Sequence, residues 1–339
     1  MASATERIQR PAHRYYGKKG VMHAHSTPSI FMKLAELHLH LDGAVEPETL
    51  LAIDPSLTRE EIAAATAYTD FPGFIDSFVW VNRKLTQPEH YAMVARRLLE
   101  RLEAEGVVYV EVTLSVGVIL WKQLPFTPVF EALQREAART KIAVRWIFDA
   151  IRQFGAEPAA PVFELAAERV NEGVVAIGLG GDEERGPALQ FKQLFQKARE
   201  RGLRLLCHAG ETPGETIGPR SVWDALEIGA ERIGHGFRSI EDPKLVAYLA
   251  AKKIPLEVCI TSNVRTGSVP SVAAHPVRKL YDAGVPIILN TDDPALFDCT
   301  LTGEYALAKS QFGFTDVELA GLAENAFRYA LDQSALIGR

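Results

Sequence analysis

Cysteine is scarce in this 339-residue chain. Cys207, Cys259 and Cys299 are odd in number, widely spaced and free of any CxxC pair, which argues against a disulfide framework and against a thiolate zinc site. Buried, reduced thiols are expected instead. Long apolar runs are also missing: none approaches the roughly 20 residues that a membrane helix needs, and the leading residues lack the apolar stretch of a secretory signal. A cytoplasmic protein without a membrane partner is expected. Nor is there an excess of basic residues. The formal charge is −6, and residues 1–33 hold Arg7, Arg10, Arg14, Lys18, Lys19 and Lys33 against Glu6 alone, so the remainder carries about −11. Nucleic acid is therefore not an expected partner. The leading segment has no hydrophobic period, and its His23 and His25 only imitate a metal pair; a disordered basic extension over 1–33 is expected.

What is present fits a large soluble domain, with 47% hydrophobic and 24% charged residues. From residue 34 onward, short β-rich runs alternate with segments of helical period. The runs cover 34–41, 107–115, 143–151, 174–181, 204–211, 232–237, 255–263 and 286–294. Alternation of this kind predicts a parallel α/β fold, and eight runs predict a closed (β/α)8 barrel over 34–339. Phe191, Leu194, Phe195 and Ala198 recur at helical spacing before Gly202. Thr58 with Glu61, and Thr315 with Glu318, have capping-box spacing and place helix starts near 59 and 316. The long insertion at 42–106, aromatic over 71–85, is suited to a helical lid over the barrel mouth.

Polar residues gather at the carboxyl ends of the strand runs, where a barrel keeps its active site. His38 and His40, two apart on an extended strand, project to one side and can chelate one ion. The fifth run ends in His208-Ala209-Gly210-Glu211, a third imidazole followed by a carboxyl group. The eighth ends in Asn290-Thr291-Asp292-Asp293-Pro294, where two adjacent carboxylates call for a cation or for a proton shared with a ligand. Three histidines and an aspartate form a nitrogen- and oxygen-rich set suited to one zinc with an open position. His235, between Gly234 and Gly236, reads either as a site residue or as a buried histidine bonded to a neighbour. Gly180 and Gly181 leave backbone amides free to meet a flat ligand.

Taken together, HLHLDG at 38–43, GGDE at 180–183, HAGE at 208–211, GHG at 234–236, TSN at 261–263 and NTDDP at 290–294 resemble the adenosine deaminase family, from about residue 34 to the end. The resemblance implies that His38, His40, His208 and Asp292 hold one zinc ion per chain. It implies that Glu211 handles the proton at the ring nitrogen beside the reacting carbon, and that His235 orients the attacking water and, with Asp292, manages its proton. Asp293 and the backbone of Gly181 would contact the other ring nitrogens, and Asp42 the ribose. The expected reaction is hydrolytic removal of the 6-amino group of a purine nucleoside. The alternatives are adenosine or deoxyadenosine deaminase proper, adenine deaminase, or a binding relative that has lost the chemistry.

One departure bears on the substrate. Adenosine-specific relatives carry arginine and proline after the second-strand glutamate, whereas this chain reads Glu111-Val112-Thr113-Leu114-Ser115-Val116. The branch acting on 6-aminodeoxyfutalosine, whose ribose bears a benzoate-bearing extension, would need aromatic surface and a cation on the sugar side. Phe71, Phe74, Phe78, Trp80 and Arg83 are candidates, as is Arg152; the aromatics alone would also suit a helix core. A two-metal amidohydrolase is disfavoured because VVAIGLGGDEE lacks a bridging lysine, and a cytidine-type deaminase because HxE and PCxxC are both missing.

Overall fold

The computed structural model describes residues 33–212 and 217–337; the extension expected at 1–33 lies, Lys33 apart, outside them. Eight strands form one parallel series: β1 Leu34–His40, β2 Val107–Leu114, β3 Ala143–Ile151, β4 Val174–Gly180, β5 Arg204–Ala209, β6 Arg232–His235, β7 Leu256–Val258 and β8 Ile287–Leu289. Each pairs with its sequence neighbours, as expected of parallel strands joined by crossover helices that pack outside the barrel. The result is the expected (β/α)8 barrel. Among the described residues no helix is long and apolar enough to cross a membrane.

The ring closes through a seam of mixed character. A single bridge joins Leu39 to Asp292, with His40 N–H donating to Asp292 O at 2.7 Å and Asp292 N–H to His38 O at 3.0 Å. Below it, the Asn290 side-chain oxygen accepts the N–H groups of both Leu37 and His38, at 2.9 and 3.1 Å. Two successive amides meeting one acceptor is the signature of a bulge, and the β1–β2 register shifts at this point, between Glu36 and Leu39. The bulge re-aims the strand just where His38 leaves it.

Two of the expected runs are too long. β7 stops at Val258, and Ile260–Arg265 is helical, so the TSN motif lies on a helix; β8 stops at Leu289, and Pro294–Phe297 is a short helix. Apolar periodicity cannot separate a short buried strand from the first turn that follows it. Both capping boxes are present, at Thr58–Glu61 and Thr315–Glu318, starting helices at Arg59 and Asp316.

The 42–106 insertion folds into helices Pro47–Ile53, Arg59–Ala65, Phe71–Asn82 and Pro88–Ala104. Helix Phe71–Asn82 starts cleanly because Asp70 accepts the Gly73 amide and Pro72 occupies its first turn. Lys122 fastens its end, donating 2.8 Å bonds to Asn82 O, Leu85 O and the Tyr91 hydroxyl. At the opposite end of the barrel, the chain after helix Asp316–Tyr329 crosses the floor. Leu331 packs on Ile147, Ala176 and Leu206, while its N–H donates to Glu111 at 2.6 Å.

Candidate functional site

Above this floor the barrel axis carries a column of buried polar groups. Arg232 donates to Glu111 and to Glu257, both at 2.5 Å, and to Tyr329 O at 2.8 Å. Glu257 in turn accepts from His38 Nδ1 at 2.7 Å. Burial opposes its ionisation, yet Arg232 and His38 hold the Glu257 carboxyl down at about 2. The His38 ring is thereby fixed with Nδ1 protonated and Nε2 pointing up, where that nitrogen is buried and finds no hydrogen-bond partner. Burial also opposes charge on His38, but Asp292 and Glu257 on either side push it up to about 10, so the spot favours a cation.

Around His38 Nε2 the remaining donors converge. His40 Nε2 lies 3.1 Å from His208 Nε2, and Asp292 Oδ1 lies 3.4 Å from the Nε2 atoms of both His38 and His40. Four ligands placed tetrahedrally at ~2.0–2.1 Å from an ion stand about 3.3–3.4 Å apart. The spacing, the orphaned Nε2 and a donor set of nitrogen and oxygen without sulfur all fit zinc. Burial moves His40 down to about 4 and drives His208 well below its usual range, leaving neutral imidazoles as ligation requires. His235 crowds the same space: donor atoms of His38, His208, His235 and Asp292 lie within 4.8 Å of one another. Five side chains thus converge on one site.

Glu211 and Asp293 supply the acids. Burial, reinforced by Asp292 and Glu183, drives the Glu211 carboxyl well above its usual range, and burial beside Asp292 does the same for Asp293. Both line a cavity of about 350 Å³, and the upward shifts favour their protonated, hydrogen-donating forms. Asp293 Oδ1 is buried without a hydrogen-bond partner among the described residues. Asp292 turns inward from left-handed backbone, φ +67°, as does His235 at +58°, conformations that cost about 1–3 kcal/mol each and persist where function holds them.

Glycines make the space. A Cβ on Gly43 would fall on the Asp293 carboxylate, and one on Gly178 would stand 2.5 Å from Asp149 Oδ1. Gly43→Ala is therefore expected to push Asp293 aside, lowering stability by about 1–3 kcal/mol and raising KM. Thermal melts and steady-state kinetics check this; wild-type Tm and KM together would refute it.

The expected sugar-side residues divide. Phe71, Phe74, Phe78 and Arg83 line the cavity, as do Gly181, His40, His208 and Asp292. Trp80 does not, and Lys84 sits over its ring instead. Arg152 is a correction. Its guanidinium is buried, with Nη2 donating to His208 O at 2.7 Å and Leu179 O at 3.2 Å, so it braces β4 and β5 from outside the cavity lining. Asp42 is fully buried as well, and accepts the Ser115 amide at 3.1 Å rather than forming wall.

Several site residues escape sequence reasoning. Glu183 accepts the amides of Gly210, Glu211 and Thr212 at 2.8–2.9 Å, as well as the Ser221 hydroxyl, and so holds the loop that carries Glu211. It stands inside GGDE, and its acidity was the available signal. Trp121 and Phe154 stack at the cavity rim with centroids 6.5 Å apart, 57% and 40% exposed. Large exposed aromatics at the ends of two separate short helices, Val116–Trp121 and Arg152–Phe154, carry no periodic signal.

Comparison with known proteins agrees with this geometry. The family profile described as Adenosine deaminase matches residues 33–335. An aminodeoxyfutalosine deaminase of Streptomyces avermitilis is 37% identical over 306 residues, covering 86% of this chain and 84% of that one. An adenosine deaminase of Serratia proteamaculans is 36% identical over 317 residues, covering 88% and 94%. A solved amidohydrolase of Burkholderia ambifaria with bound Zn superposes with a TM-score of 0.82 at 28% identity, covering 90% and 88%.

Proposed function

Because the chain belongs to the adenosine deaminase family and is a hydrolytic deaminase, we propose that it removes the 6-amino group from a purine nucleoside with an aromatic, anionic extension on its ribose. The leading substrate is 6-aminodeoxyfutalosine. The carrying observation is the outer half of the cavity, where Phe71, Phe74 and Phe78 on one side meet the stacked Trp121 and Phe154. Arg83 is exposed on the same lining and pairs with no carboxylate among the described residues. Plain adenosine would leave such a wall uncovered.

His38, His40, His208 and Asp292 would hold zinc. When bound, the ion supplies the Lewis acidity that makes water a nucleophile at neutral pH. The protein's own residues do the rest. Glu211, neutral through burial, gives its proton to the ring nitrogen next to C6, which withdraws electrons from that carbon. Asp293, also neutral, donates a hydrogen bond to the imidazole-side nitrogen, and the Gly181 amide donates to the remaining pyrimidine nitrogen. Water adds to C6 and loses a proton to the Asp292 side. Asp292 passes that proton to the 6-amino group, the C–N bond breaks as ammonia leaves, and the proton remaining on the oxygen returns to Glu211 as the C6 carbonyl forms. Helix Phe71–Asn82 roofs the reaction and limits competing solvent.

An ammonia-release assay on 6-aminodeoxyfutalosine, adenosine, deoxyadenosine and adenine tests this. Burying an aryl ring and pairing a carboxylate each add on the order of 1 kcal/mol or more, so the extended nucleoside should lead adenosine by at least about tenfold in kcat/KM. Arg83→Ala and Trp121→Ala should each lose more on it than on adenosine. Adenosine ahead by tenfold, with both variants indifferent to the extension, would make this a plain adenosine deaminase; adenine ahead of every nucleoside would make it an adenine deaminase.

A further inference from the structure

His235 is the fifth donor side chain at this site, and its protonation pattern decides what it does there. That pattern is set at a distance. The Val277 backbone N–H donates to His275 Nδ1 at 3.2 Å. A peptide N–H can only donate, so His275 Nδ1 is an acceptor and the ring proton sits on Nε2. His275 is buried between Phe237 and Phe312, and among the described residues no carboxylate lies within ion-pair distance to charge it. Its Nε2 faces Asn263 Oδ1 at 3.1 Å, so that atom accepts, and the Asn263 amide is left with one orientation. The Asn263 Nδ2 group then donates to His235 Nδ1 at 3.1 Å. Each step follows from the one before it, starting from a group that cannot rotate or flip.

We propose that Val277 N–H, His275 and Asn263 form a positioning relay that holds His235 as the neutral Nε2–H tautomer. Nε2 points into the site, 3.4 Å from Glu211 Oε2 and 3.9 Å from Asp292 Oδ2. Two consequences follow. A nitrogen bearing a hydrogen has no lone pair for a cation, so His235 is excluded as a ligand and His38, His40, His208 and Asp292 remain as the residues that would hold one. His235 also enters the reaction as a hydrogen-bond donor, steadying the oxygen that attacks C6 and the negative charge that grows on it. The proton that oxygen loses goes to Asp292, whose Oδ2 already accepts from Ser262 at 2.7 Å. Asn263 and His275 touch neither substrate nor reacting atoms and act only through His235.

Nitrogen-15 NMR of the imidazoles tests the relay without any substrate, so its failure is distinguishable from a mistaken choice of nucleoside. In the wild-type protein His235, assigned by its loss in His235→Gln, should show a protonated Nε2 and a bare Nδ1. Asn263→Asp puts an acceptor on both sides and should draw the His235 proton to Nδ1. Its kcat should then fall on the order of 10²- to 10⁴-fold, as a wrong histidine tautomer costs elsewhere, with KM within a few-fold and metal content unchanged. His275→Phe, which removes the donor, should lose kcat in the same way, and His275→Gln, which restores a donor near the Nε2 position, should recover most of it. A protonated Nδ1 in wild type, an unchanged tautomer in Asn263→Asp, or equal loss in His275→Phe and His275→Gln would overturn the relay.

Discussion

Glu211→Gln is expected to keep its fold and its metal and to lose kcat by about 10²- to 10⁴-fold, the amount a positioned acid typically supplies. Glutamine is close in size, and the clamp that places residue 211 is built from backbone amides on Glu183, which the substitution leaves untouched. What disappears is the proton. The pH dependence has a definite sign: burial and the nearby Asp292 and Glu183 raise the Glu211 carboxyl well above its usual range, so the acid form is held below that raised value and is lost as pH rises through it. The alkaline limb of kcat/KM should therefore belong to Glu211. More than about a tenth of wild-type kcat in the variant, at equal metal content, would show that another group delivers the proton.

Glu257→Gln is expected to weaken metal binding by about 10- to 100-fold, the usual effect of losing a carboxylate behind a ligating histidine. The charge of Glu257 fixes the His38 ring through a 2.7 Å bond. Its loss also leaves Arg232 with Glu111 as its sole carboxylate partner, inside a barrel where breaking a buried pair costs about 3–5 kcal/mol. The variant should melt lower and release its ion to a chelator sooner. Elemental analysis of the wild type should give one ion per chain, and chelator competition then gives the ratio of affinities. Equal affinities would mean that His38 is held by packing alone.

The fold was largely legible in the chain because parallel strands leave continuous apolar runs and capping boxes leave a two-residue signature; both predicted helix starts lie where Thr58 and Thr315 put them. The ends of β7 and β8 were not, since Ile260 is as apolar as the strand before it. At the site, residues with donor atoms stand out at strand ends, so His38, His40, His208, Glu211, His235, Asp292 and Asp293 could be picked out and the structure gathers them at one mouth. Arg152 could not be placed. An arginine next to a strand end reads the same whether its guanidinium enters the cavity or, as here, turns outward to the carbonyls of Leu179 and His208. The partners of partners were hidden for a different reason. Glu183 and Glu257 work through hydrogen bonds to groups 25 to 219 residues away, and His275 through Asn263, 12 residues back, and one backbone amide; no spacing in sequence encodes such a meeting.

The seam between β1 and β8 joins positions 253 residues apart at Leu37 and Asn290, and a contact of that span is formed against the entropy of the whole intervening loop. It is also thin among the described residues: one bridge, the Asn290 carboxamide and the Glu36 carboxylate, which accepts the Thr291 amide and hydroxyl, stand in place of a full ladder. The proposed ligands straddle it: His38 and His40 on one lip, Asp292 on the other, His208 across the mouth. An ion seated there fastens the ring like a clasp, and by mass action it favours the closed barrel over every form in which the lips part. Residence of the metal and integrity of the barrel are then a single equilibrium, read once from the ion and once from the chain.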